Sequence, residues 1–340
     1  MTRDTSCIVV LNSRCRNTPI CHLLNLSLSL GKFPDQWKLA NVCPIHKSDD
    51  LTLSKNYRPI SLLCIVSKCL ERCVVNHCYT LISPQLYHLQ HGFLRGRSTV
   101  TQLLQVYHEV IEALAKGKEI DIAYLDFVKA FDKVPHCALL TKLSKFGISG
   151  QVINWFQSYL SDRYQRVALQ GTYSDWLQVL SGVLQGSIMG PLMFLVYIDD
   201  IPQCITHDPK IAIFADDSKL FKIIEKPSDK FSLQQDLTQL SIWSDTWGMC
   251  LNKPKCTAMN ISRKKIPTKR EYHLNRFPLE TVSEVKDLGT TITNTLQWSQ
   301  HIKLISSKAN RTLGLIRRVC RDITDPDTKN FFTAQLCDHN

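Results

Sequence analysis

The stretch IAIFADDSKLF, residues 211–221, sets two adjacent aspartates between two apolar runs. The flanking runs predict two strands joined by a tight turn, with Asp216 and Asp217 at or beside the turn. An Asp pair alone is typical of an ordinary turn, because Asp favours turn positions. The pair therefore indicates chemistry only if a further acidic residue is expected beside it.

Asp126 supplies that further acidic residue. It follows an apolar run in IAYLDF, residues 122–127, and two strands that each end in a carboxylate can place Asp126 and Asp216 side by side on adjacent strands of one sheet. These carboxylates repel each other unless a cation neutralises them, and Mg²⁺ binds one or two protein carboxylates together with substrate phosphate oxygens. Because two such ions promote in-line displacement at phosphorus, the pattern indicates phosphoryl or nucleotidyl transfer.

The composition is that of a globular, basic protein. The chain has 340 residues, of which 44% are hydrophobic, enough for one large core or two modest ones. Its 41 Lys and Arg outnumber its 30 Asp and Glu, which gives a net charge of +11. This excess favours a polyanionic partner such as nucleic acid, although basic composition is also common among cytosolic proteins.

Cysteine spacing and the N-terminus bear on the compartment. The 14 cysteines include no CxxC pair, which favours a reducing compartment. Residues 1–31 contain no apolar run long enough to span a membrane, and Arg14 and Arg16 interrupt what could be a signal-peptide core. We therefore expect an intracellular protein, in the nucleus or cytoplasm, that is neither secreted nor associated with a membrane.

Apolar periodicity predicts helices and strands in a mixed order without an internal repeat. Helices are expected from the patterns in 18–31, 62–82, 100–115, 138–148, 151–162, 187–201, 232–247 and 298–318. Strands are expected near 42–47, 120–126, 165–170, 174–183, 210–214, 219–224, 255–261 and 284–292. This order favours an α+β fold with a half-covered antiparallel sheet over a strictly alternating βαβ fold.

Several motifs, taken in order, resemble those of a known family. YLDFVKAFDKVPH (124–136), SGVLQGSIMGPLMFLVYIDDI (181–201) and IFADDSKLF (213–221) resemble the successive core motifs of reverse transcriptases, specifically those of non-LTR (LINE-type, jockey-like) retrotransposons. The resemblance extends to GKFPDQWKLANVCPIHK (31–47), NYRPISLL (56–63), QHGFLRGRST (90–99), WGMCLNKPKC (247–256) and EVKDLG (284–289). It covers roughly residues 30–318 and implies a right-hand polymerase fold.

The resemblance also implies a division of the chain. Residues 1–42 are expected to be an N-terminal extension leading into the fingers, and residues 43–293 to form the fingers and palm. Residues 294–340 are expected to begin a thumb that is truncated. Family members usually carry an upstream endonuclease, and residues 1–30 are too few to form one, so that activity is expected to be absent.

The family pattern implies a role for each carboxylate. Asp126 and Asp216 would be the main metal ligands, Asp217 the third carboxylate, and the backbone carbonyl of Phe127 a further ligand. The implied cofactor is a pair of Mg²⁺ ions, with Mn²⁺ as a possible substitute. Phe131 would lie against the sugar of the incoming nucleotide and exclude a 2′-hydroxyl, the alternative being an ordinary core Phe. Asp132 is expected to cap or solvate the turn that follows it.

The LQGS turn is expected to contact the nucleotide or template. Gly182 and Gly186 would allow the backbone to approach a substrate closely, and Gln185 would supply a donor and an acceptor. The family usually has proline at the position of Leu184. Because proline stiffens the backbone, Leu184 is expected to loosen nucleotide positioning.

Five basic residues lie at positions for which the resemblance to reverse transcriptases implies a role. Lys47 and Arg58 would hold the incoming triphosphate, since Lys provides a point charge and Arg a bidentate donor. Arg95 and Arg97 would contact the template or primer backbone. Lys255 would protonate the departing pyrophosphate, with Lys253 as a rival. The alternative for each is a solvated surface charge.

Together these expectations predict an RNA-directed DNA polymerase that adds deoxynucleotides to a primer. Its partners would be an RNA template, a DNA primer and deoxynucleoside triphosphates, with no stable protein partner implied. One alternative is a catalytically weak or dead retroelement fragment that retains RNA or DNA binding, which Leu184 and the short thumb favour. A two-metal nuclease is a further alternative, but it would leave the LQGS turn and the fingers motifs without a role.

Overall fold

Helices and strands occur in the mixed order that the sequence predicts. The computed structural model describes residues 19–47, 50–207, 210–264, 268, 270–321 and 325–328. Residues 1–18 of the predicted N-terminal extension and residues 329–340 of the predicted thumb lie outside the described residues. The described helices are α1 (Pro19–Ser29), α2 (Ile65–Ile82), α3 (Thr99–Ala115), α4 (Ala130–Lys133), α5 (His136–Lys145), α6 (Gly150–Leu160), α7 (Met189–Ile198), α8 (Ser228–Thr246) and α9 (Ser299–Val319).

The strands include those that the sequence predicts and several that it does not. They are β1 (Leu39–His46), β2 (Tyr57–Leu62), β3 (Glu119–Leu125), β4 (Arg163–Leu169), β5 (Thr172–Tyr173), β6 (Leu177–Val179), β7 (Lys210–Phe214), β8 (Asp217–Ile224), β9 (Thr257–Ile261), β10 (His273–Leu274), β11 (Phe277–Pro278), β12 (Glu280–Thr281), β13 (Glu284–Asp287) and β14 (Thr290–Thr293). The stretch EVKDLGTTI, predicted as one strand, forms the β13–β14 hairpin. Leu288 and Gly289 have positive φ angles of 46° and 89° there and reverse the chain.

A five-stranded sheet, here called the palm sheet, carries the predicted carboxylates. Its strand order is β12-β9-β3-β8-β7. The ladders of β3 with β8, β3 with β9 and β7 with β8 are antiparallel, and β12 pairs with β9 in parallel. Strand β3 is thus central, with β8 and β9 on its two sides.

The palm sheet is covered on both faces, so the expectation of a half-covered sheet is wrong. On one face Ile120 and Ile122 of β3 pack with Val106 and Val110 of α3. On the other face Ala123 and Leu125 join a larger core with residues of α5, α7 and α8. The reason lies in the strand itself, in which every residue except Tyr124 is buried, including the polar Glu119 and Asp121. A sheet with one solvated face would instead alternate buried and exposed positions.

Helix α7 forms the centre of the larger core. All of its residues except Pro191 are buried, and it packs against α2 and α5. A helix that is apolar on every side is expected only in such a central position. In the described part of the chain, no helix is long and apolar enough to cross a membrane.

A second sheet, here called the fingers sheet, contains β2, β1, β4, β5 and β6. Strand β1 pairs with β2 antiparallel and with β4 in parallel, and β6 pairs with β4 antiparallel. The β1–β2 register sets Ile45 opposite Arg58. Of the predicted triphosphate residues, Arg58 therefore lies on β2 and Lys47 directly follows β1, both near the β1–β2 loop.

Candidate active site

The palm strands bring the three predicted aspartates to one end of the sheet. Strands β3 and β8 pair in a register that sets Leu125 opposite Ser218. Asp126 directly follows Leu125 and Asp217 directly precedes Ser218, so the two aspartates lie at the same end of the sheet. Ala215 and Asp216 form the two-residue turn that joins β7 to β8, and Asp217 is the first residue of β8. The strand, turn and strand predicted from IAIFADDSKLF are thus confirmed.

The electrostatics of these carboxylates reflect their mutual proximity. Desolvation, followed by the charges of Asp216, Asp126 and Asp287, raises the pKa of Asp217 to about 6. The pKa of Asp216 is also raised. Burial is the largest cause and the charge of Asp126 adds to it, whereas a hydrogen bond from the main-chain amide of Asp216 acts in the opposite direction. Raised carboxylate pKa values are expected where like charges share a confined site. A bound cation would relieve this repulsion.

The fingers sheet supplies positive charge on the other side of the cleft. The charges of Lys47 and Arg58 partly offset the rise in the pKa of Asp216. Both residues therefore lie within electrostatic reach of the palm carboxylates. Their side chains are exposed to solvent. The main-chain amide of Lys47 donates to the Asn56 carbonyl at 2.8 Å, which holds the end of β1 next to β2.

Residues of the LQHG stretch (89–92) hold the turn that carries Asp216. Residues Leu89 and His91 exchange main-chain hydrogen bonds with Ile213 of β7. The side-chain oxygen of Gln90 accepts from the amides of Gly92, at 2.8 Å, and Ala215, at 3.1 Å. A Cβ atom on residue 92 would lie 2.5 Å from the Ala215 nitrogen, so only glycine allows this approach.

Asn252 orients Asp126, a role that was not predicted. Its side-chain amide donates to Asp126 Oδ2 at 2.9 Å, and its main-chain amide donates to the Asp126 carbonyl at 2.8 Å. Lys255 Nζ lies 3.8 Å from the same Oδ2 atom, although the lysine side chain remains largely exposed. Asn252 lies within the motif WGMCLNKPKC, which was its only signal in the sequence.

Phe127 contributes its side chain to the core and not to the cleft. Its ring lies 6.4 Å from that of Trp243, measured between centroids. The bridge between Phe127 and Leu251 is made by the flanking peptide groups, with Val128 donating to Cys250 and Asn252 donating to Asp126. Neither of these two hydrogen bonds uses the Phe127 carbonyl, which is the atom predicted to bind metal.

Phe131 is half-buried and held by two other rings. It stacks on Phe194 of α7 with centroids 4.3 Å apart and planes inclined by 13°. The ring of Phe93 meets it edge-on at 6.0 Å. The ring is therefore both packed and partly accessible, an arrangement in which one face rests on the core and the remainder can meet a ligand.

The LQGS turn is pinned to protein main chain at both glycines. A Cβ atom on residue 182 would lie 2.7 Å from the Asp132 Cα atom, and one on residue 186 would lie 2.6 Å from the Ser61 carbonyl oxygen. The close approach predicted at these glycines is therefore made to the protein's own backbone. The Ser61 amide donates to the Gln185 carbonyl at 2.7 Å, which ties the turn to β2.

Two side chains around this turn have contacts that bear on their expected roles. Asp132, predicted to cap or solvate a turn, instead accepts a hydrogen bond from Gln185 Nε2 at 3.0 Å. Leu184, at the position where the family has proline, is buried in a small cluster with Ala40 and Leu63. Burial thus constrains Leu184 even though its backbone lacks the proline ring.

Glu71 supports the same turn from α2. Its buried carboxylate accepts from the amides of Ile188, at 2.8 Å, and Met189, at 3.2 Å. These amides belong to the beginning of α7, where helices leave donors unsatisfied. The sequence gives no local signal for this contact, because 117 positions separate Glu71 from Ile188.

The two arginines of HGFLRGRS interact with the protein itself. Arg95 donates to Asn76 Oδ1 at 2.6 Å and lies over the Tyr79 ring, 4.8 Å from its centroid. Arg97 donates through one nitrogen to the carbonyls of His88 and Gln90. Both guanidinium groups thus stabilise the loop before α3, and their contact with template or primer stays a prediction.

The donor set suits a hard cation that is bound together with a substrate. Within the described residues, no group of three or more His, Cys, Asp or Glu side chains is arranged to hold a metal ion alone. Asp126, Asp216 and Asp217 nevertheless place carboxylate oxygens at one end of the cleft, where burial and then mutual repulsion raise the pKa values of Asp216 and Asp217. Mg²⁺ takes its remaining ligands from water and substrate phosphates, so these residues fit it.

Comparisons with known proteins agree with this geometry. A family model described as "Reverse transcriptase (RNA-dependent DNA polymerase)" matches residues 45–292. The chain is 29% identical over 325 residues to a "Probable RNA-directed DNA polymerase from transposon BS" of Drosophila melanogaster, covering 91% of this chain and 36% of that protein. It is 30% identical over 293 residues to the "RNA-directed DNA polymerase from mobile element jockey" of the same organism, covering 82% of this chain and 31% of that protein. The chain thus spans about a third of the length of these curated relatives.

Solved structures show the same fold. Apo telomerase from Candida tropicalis aligns over 77% of this chain and 48% of that chain, with a TM-score of 0.53 at 10% identity. A form of that telomerase truncated from its C-terminal domain aligns over 77% of this chain and 55% of that chain, with a TM-score of 0.51 at 12% identity. The right-hand polymerase fold predicted from the motifs is confirmed. The chain belongs to the reverse transcriptase family, among the members from non-LTR retrotransposons.

Proposed function

We propose that this chain forms the fingers and palm of an RNA-directed DNA polymerase that adds deoxynucleotides to a primer on an RNA template. The observation that carries the proposal is the arrangement of charge across one cleft. Asp126, Asp216 and Asp217 lie at the end of the palm sheet, and the charges of Lys47 and Arg58 on the fingers sheet act on Asp216. A nucleoside triphosphate bound with a divalent cation carries the charges that would complement both sides.

Each side of the cleft has a distinct task in this proposal. Asp126, Asp216, Asp217 and the Phe127 carbonyl bind two Mg²⁺ ions, for which Mn²⁺ can substitute. When bound, the two ions activate the primer hydroxyl and stabilise the leaving oxygen of the displacement. Asn252 holds the Asp126 carboxylate in one orientation through its hydrogen bond to Oδ2.

The remaining site residues bind and select the nucleotide. Lys47 and Arg58 hold the triphosphate, and Phe131, supported from below by Phe194, excludes a 2′-hydroxyl. Gln185 and Gly186 form the floor beside the nucleotide, because their turn is fixed against Ser61.

Two further groups act at the edges of the site. Lys255, whose ammonium group lies beside Asp126, donates a proton to the departing pyrophosphate. Arg95 and Arg97 contact the template or primer backbone with the guanidinium nitrogens that the loop does not use. In this scheme, residues 43–293 are the fingers and palm, and the described part of 294–340 begins the thumb with the basic helix α9.

A weak or inactive fragment that only binds nucleic acid is the competing function. Leu184, at a position where the family usually has proline, and the short thumb were the sequence arguments for it. The burial of Leu184 with Ala40 and Leu63 weakens the first of these arguments, since packing can fix the turn in place of a proline ring.

Primer extension with purified protein tests the proposal. The assay uses a poly(A) template, an oligo(dT) primer, dTTP and Mg²⁺, with EDTA and the variant Asp216→Asn as controls. We expect the unmodified protein to extend the primer in Mg²⁺, and we expect no extension in EDTA or by Asp216→Asn. The nucleic-acid affinity of the unmodified protein and of the variant should fall steeply as salt rises. Salt-sensitive binding without extension would support the binding fragment, and primer degradation would support a nuclease.

A further inference from the structure

A buried polar network lies directly behind the carboxylates. Lys219 Nζ lies 2.5 Å from Asp287 Oδ2, and both side chains are almost fully enclosed. The hydroxyl of Tyr107 donates to the same Asp287 oxygen at 3.0 Å and lies 3.0 Å from the hydroxyl of Tyr124. The network therefore connects α3, β3, β8 and the β13–β14 hairpin.

The network is in register with the carboxylates. Tyr124 and Lys219 are paired across β3 and β8, and each lies two positions from an aspartate, Asp126 or Asp217. Because side chains alternate along a strand, Tyr124, Lys219 and Asp217 share one face of the palm sheet, and Asp126 directly follows the end of β3. Asp287 is the last residue of β13, immediately before the turn of the hairpin. The ion pair thus attaches that turn to the strands that carry the aspartates.

The same turn forms a wall of the cleft beside the carboxylates. One polar cavity is lined by Asp126, Asp217 and Lys255 together with Lys286 and Leu288 of the turn, and Lys219 and Asp287 also line it. A growing strand whose 3′ end reaches Asp126 and Asp217 must lie in the cleft that the palm sheet and the hairpin turn border. A displaced hairpin turn would therefore change the shape of that space.

Stability alone does not require a buried ion pair at this position. Replacing a buried pair by apolar residues is often neutral or stabilising, because desolvation offsets the attraction between the charges. The hairpin already has apolar contacts with the core beneath it, through Ile292 and Val285. What the pair adds is a fixed geometry, since Lys219 and Asp287 can meet only in one arrangement of hairpin and sheet.

We propose that Lys219 is a positioning residue, whose ion pair with Asp287 holds the β13–β14 turn at a set distance from Asp126 and Asp217 and thereby aligns the primer terminus for reaction. This inference rests on the proposed function. Lys219 does not contact the reacting atoms in this scheme. It acts through the hairpin, and its loss should affect turnover more than binding.

The variant Lys219→Met tests the inference by removing the charge and keeping the length of the side chain. We expect kcat for primer extension to fall by about 10- to 100-fold, because small misplacements of reacting groups have effects of this size. The dissociation constant for primer–template should change by less than about threefold, because the Lys219 side chain is almost fully enclosed and its charge is paired with Asp287. Hydrogen exchange of the hairpin amides in residues 284–293 should become faster.

A matched control and a double variant separate positioning from stability. Lys222→Met removes another buried lysine of β8, which donates to the His207 carbonyl, and it should leave kcat unchanged. The double variant Lys219→Met with Asp287→Leu should recover the free energy of unfolding but not kcat. Recovery of kcat together with stability would overturn the inference, as would a folded Lys219→Met protein with wild-type kcat.

The exchange measurement also separates this inference from the proposed function. If the unmodified protein extends no primer, the proposed function fails on its own. Unchanged hairpin exchange in Lys219→Met would then show that the pair does not dock the hairpin, and the inference would fail as well.

Discussion

The side-chain oxygen of Gln90 lies 3.1 Å from the main-chain nitrogen of Ala215 and accepts its hydrogen bond. Ala215 has a φ angle of +54°, a left-handed conformation that non-glycine residues rarely adopt. This strained residue directly precedes Asp216. Gln90 thus holds a turn that the local sequence does not favour, and it does so from a segment more than a hundred residues earlier in the chain.

Gln90→Leu should destabilise the protein and displace Asp216. The change leaves the buried amides of Gly92 and Ala215 without their acceptor, so we expect the free energy of unfolding to fall by about 2–4 kcal/mol. Urea denaturation measures the loss. Gln102→Leu is a matched control, because Gln102 is also buried but makes only a long 3.5 Å hydrogen bond. Equal losses in the two variants would contradict the assignment.

Asp126→Asn and Asp216→Asn should each abolish primer extension. Asparagine keeps the size of the side chain and removes the charge that binds the cation. Affinity for primer–template should stay the same or rise slightly, because a negative charge is removed from a surface that meets phosphates. Extension and fluorescence anisotropy measured on the same preparation check both effects, with the exposed Asp245→Asn as control. More than trace extension by either variant would contradict the metal assignment.

Phe131→Ala should admit ribonucleotides. The ring is held by Phe194 and Phe93, so its position is fixed and a clash with a 2′-hydroxyl cannot be relieved by rotation. We expect the ratio of kcat/KM for matched rNTP and dNTP to rise at least about tenfold, which corresponds to about 1.4 kcal/mol.

The variant Phe194→Leu controls for lost packing in this experiment. It removes the ring that stacks on Phe131, so it should lower stability and should weaken the exclusion of ribonucleotides less than Phe131→Ala does. If Phe131→Ala stays folded and active with an unchanged ratio, Phe131 is only a core residue and the sugar is recognised elsewhere.

Asp217→Asn should stabilise the metal-free protein at neutral pH. The pKa of Asp217 is raised to about 6, so the folded state favours the protonated form and the ionised form is destabilising. The gain from the substitution should be complete above about pH 6 and vanish as the pH falls toward 3.8. Because the side chain reaches solvent, we expect only about 1 kcal/mol. Denaturation in EDTA at several pH values measures it, and a gain that grows toward low pH would refute the prediction.

The parts of the site that sequence reasoning predicted are those with a local pattern. Asp126 and the pair Asp216 and Asp217 each follow an apolar run that forms a strand, so their positions at strand ends could be anticipated. Their convergence at one end of the cleft follows from the pairing of β3 with β8.

The residues that were missed act across long separations in the chain. Gln90 supports Ala215, Glu71 supports Ile188, and Lys219 pairs with Asp287. A buried polar residue in an apolar segment gives no indication of its partner, because the partner is set by tertiary packing. The second covered face of the palm sheet was missed for a similar reason, since the burial of Glu119 and Asp121 depends on Arg270 and Tyr272.

The central position of β3 has a consequence for how the protein is made. Strand β3 ends at Leu125, while its two neighbours begin only at Asp217 and Thr257. A nascent chain emerging from the ribosome therefore carries an apolar strand with both edges open until most of the sheet has been translated. Such non-local pairing slows folding and exposes the strand to aggregation. Synthesis at low temperature or with a chaperone that binds extended apolar segments should therefore raise the yield of folded protein.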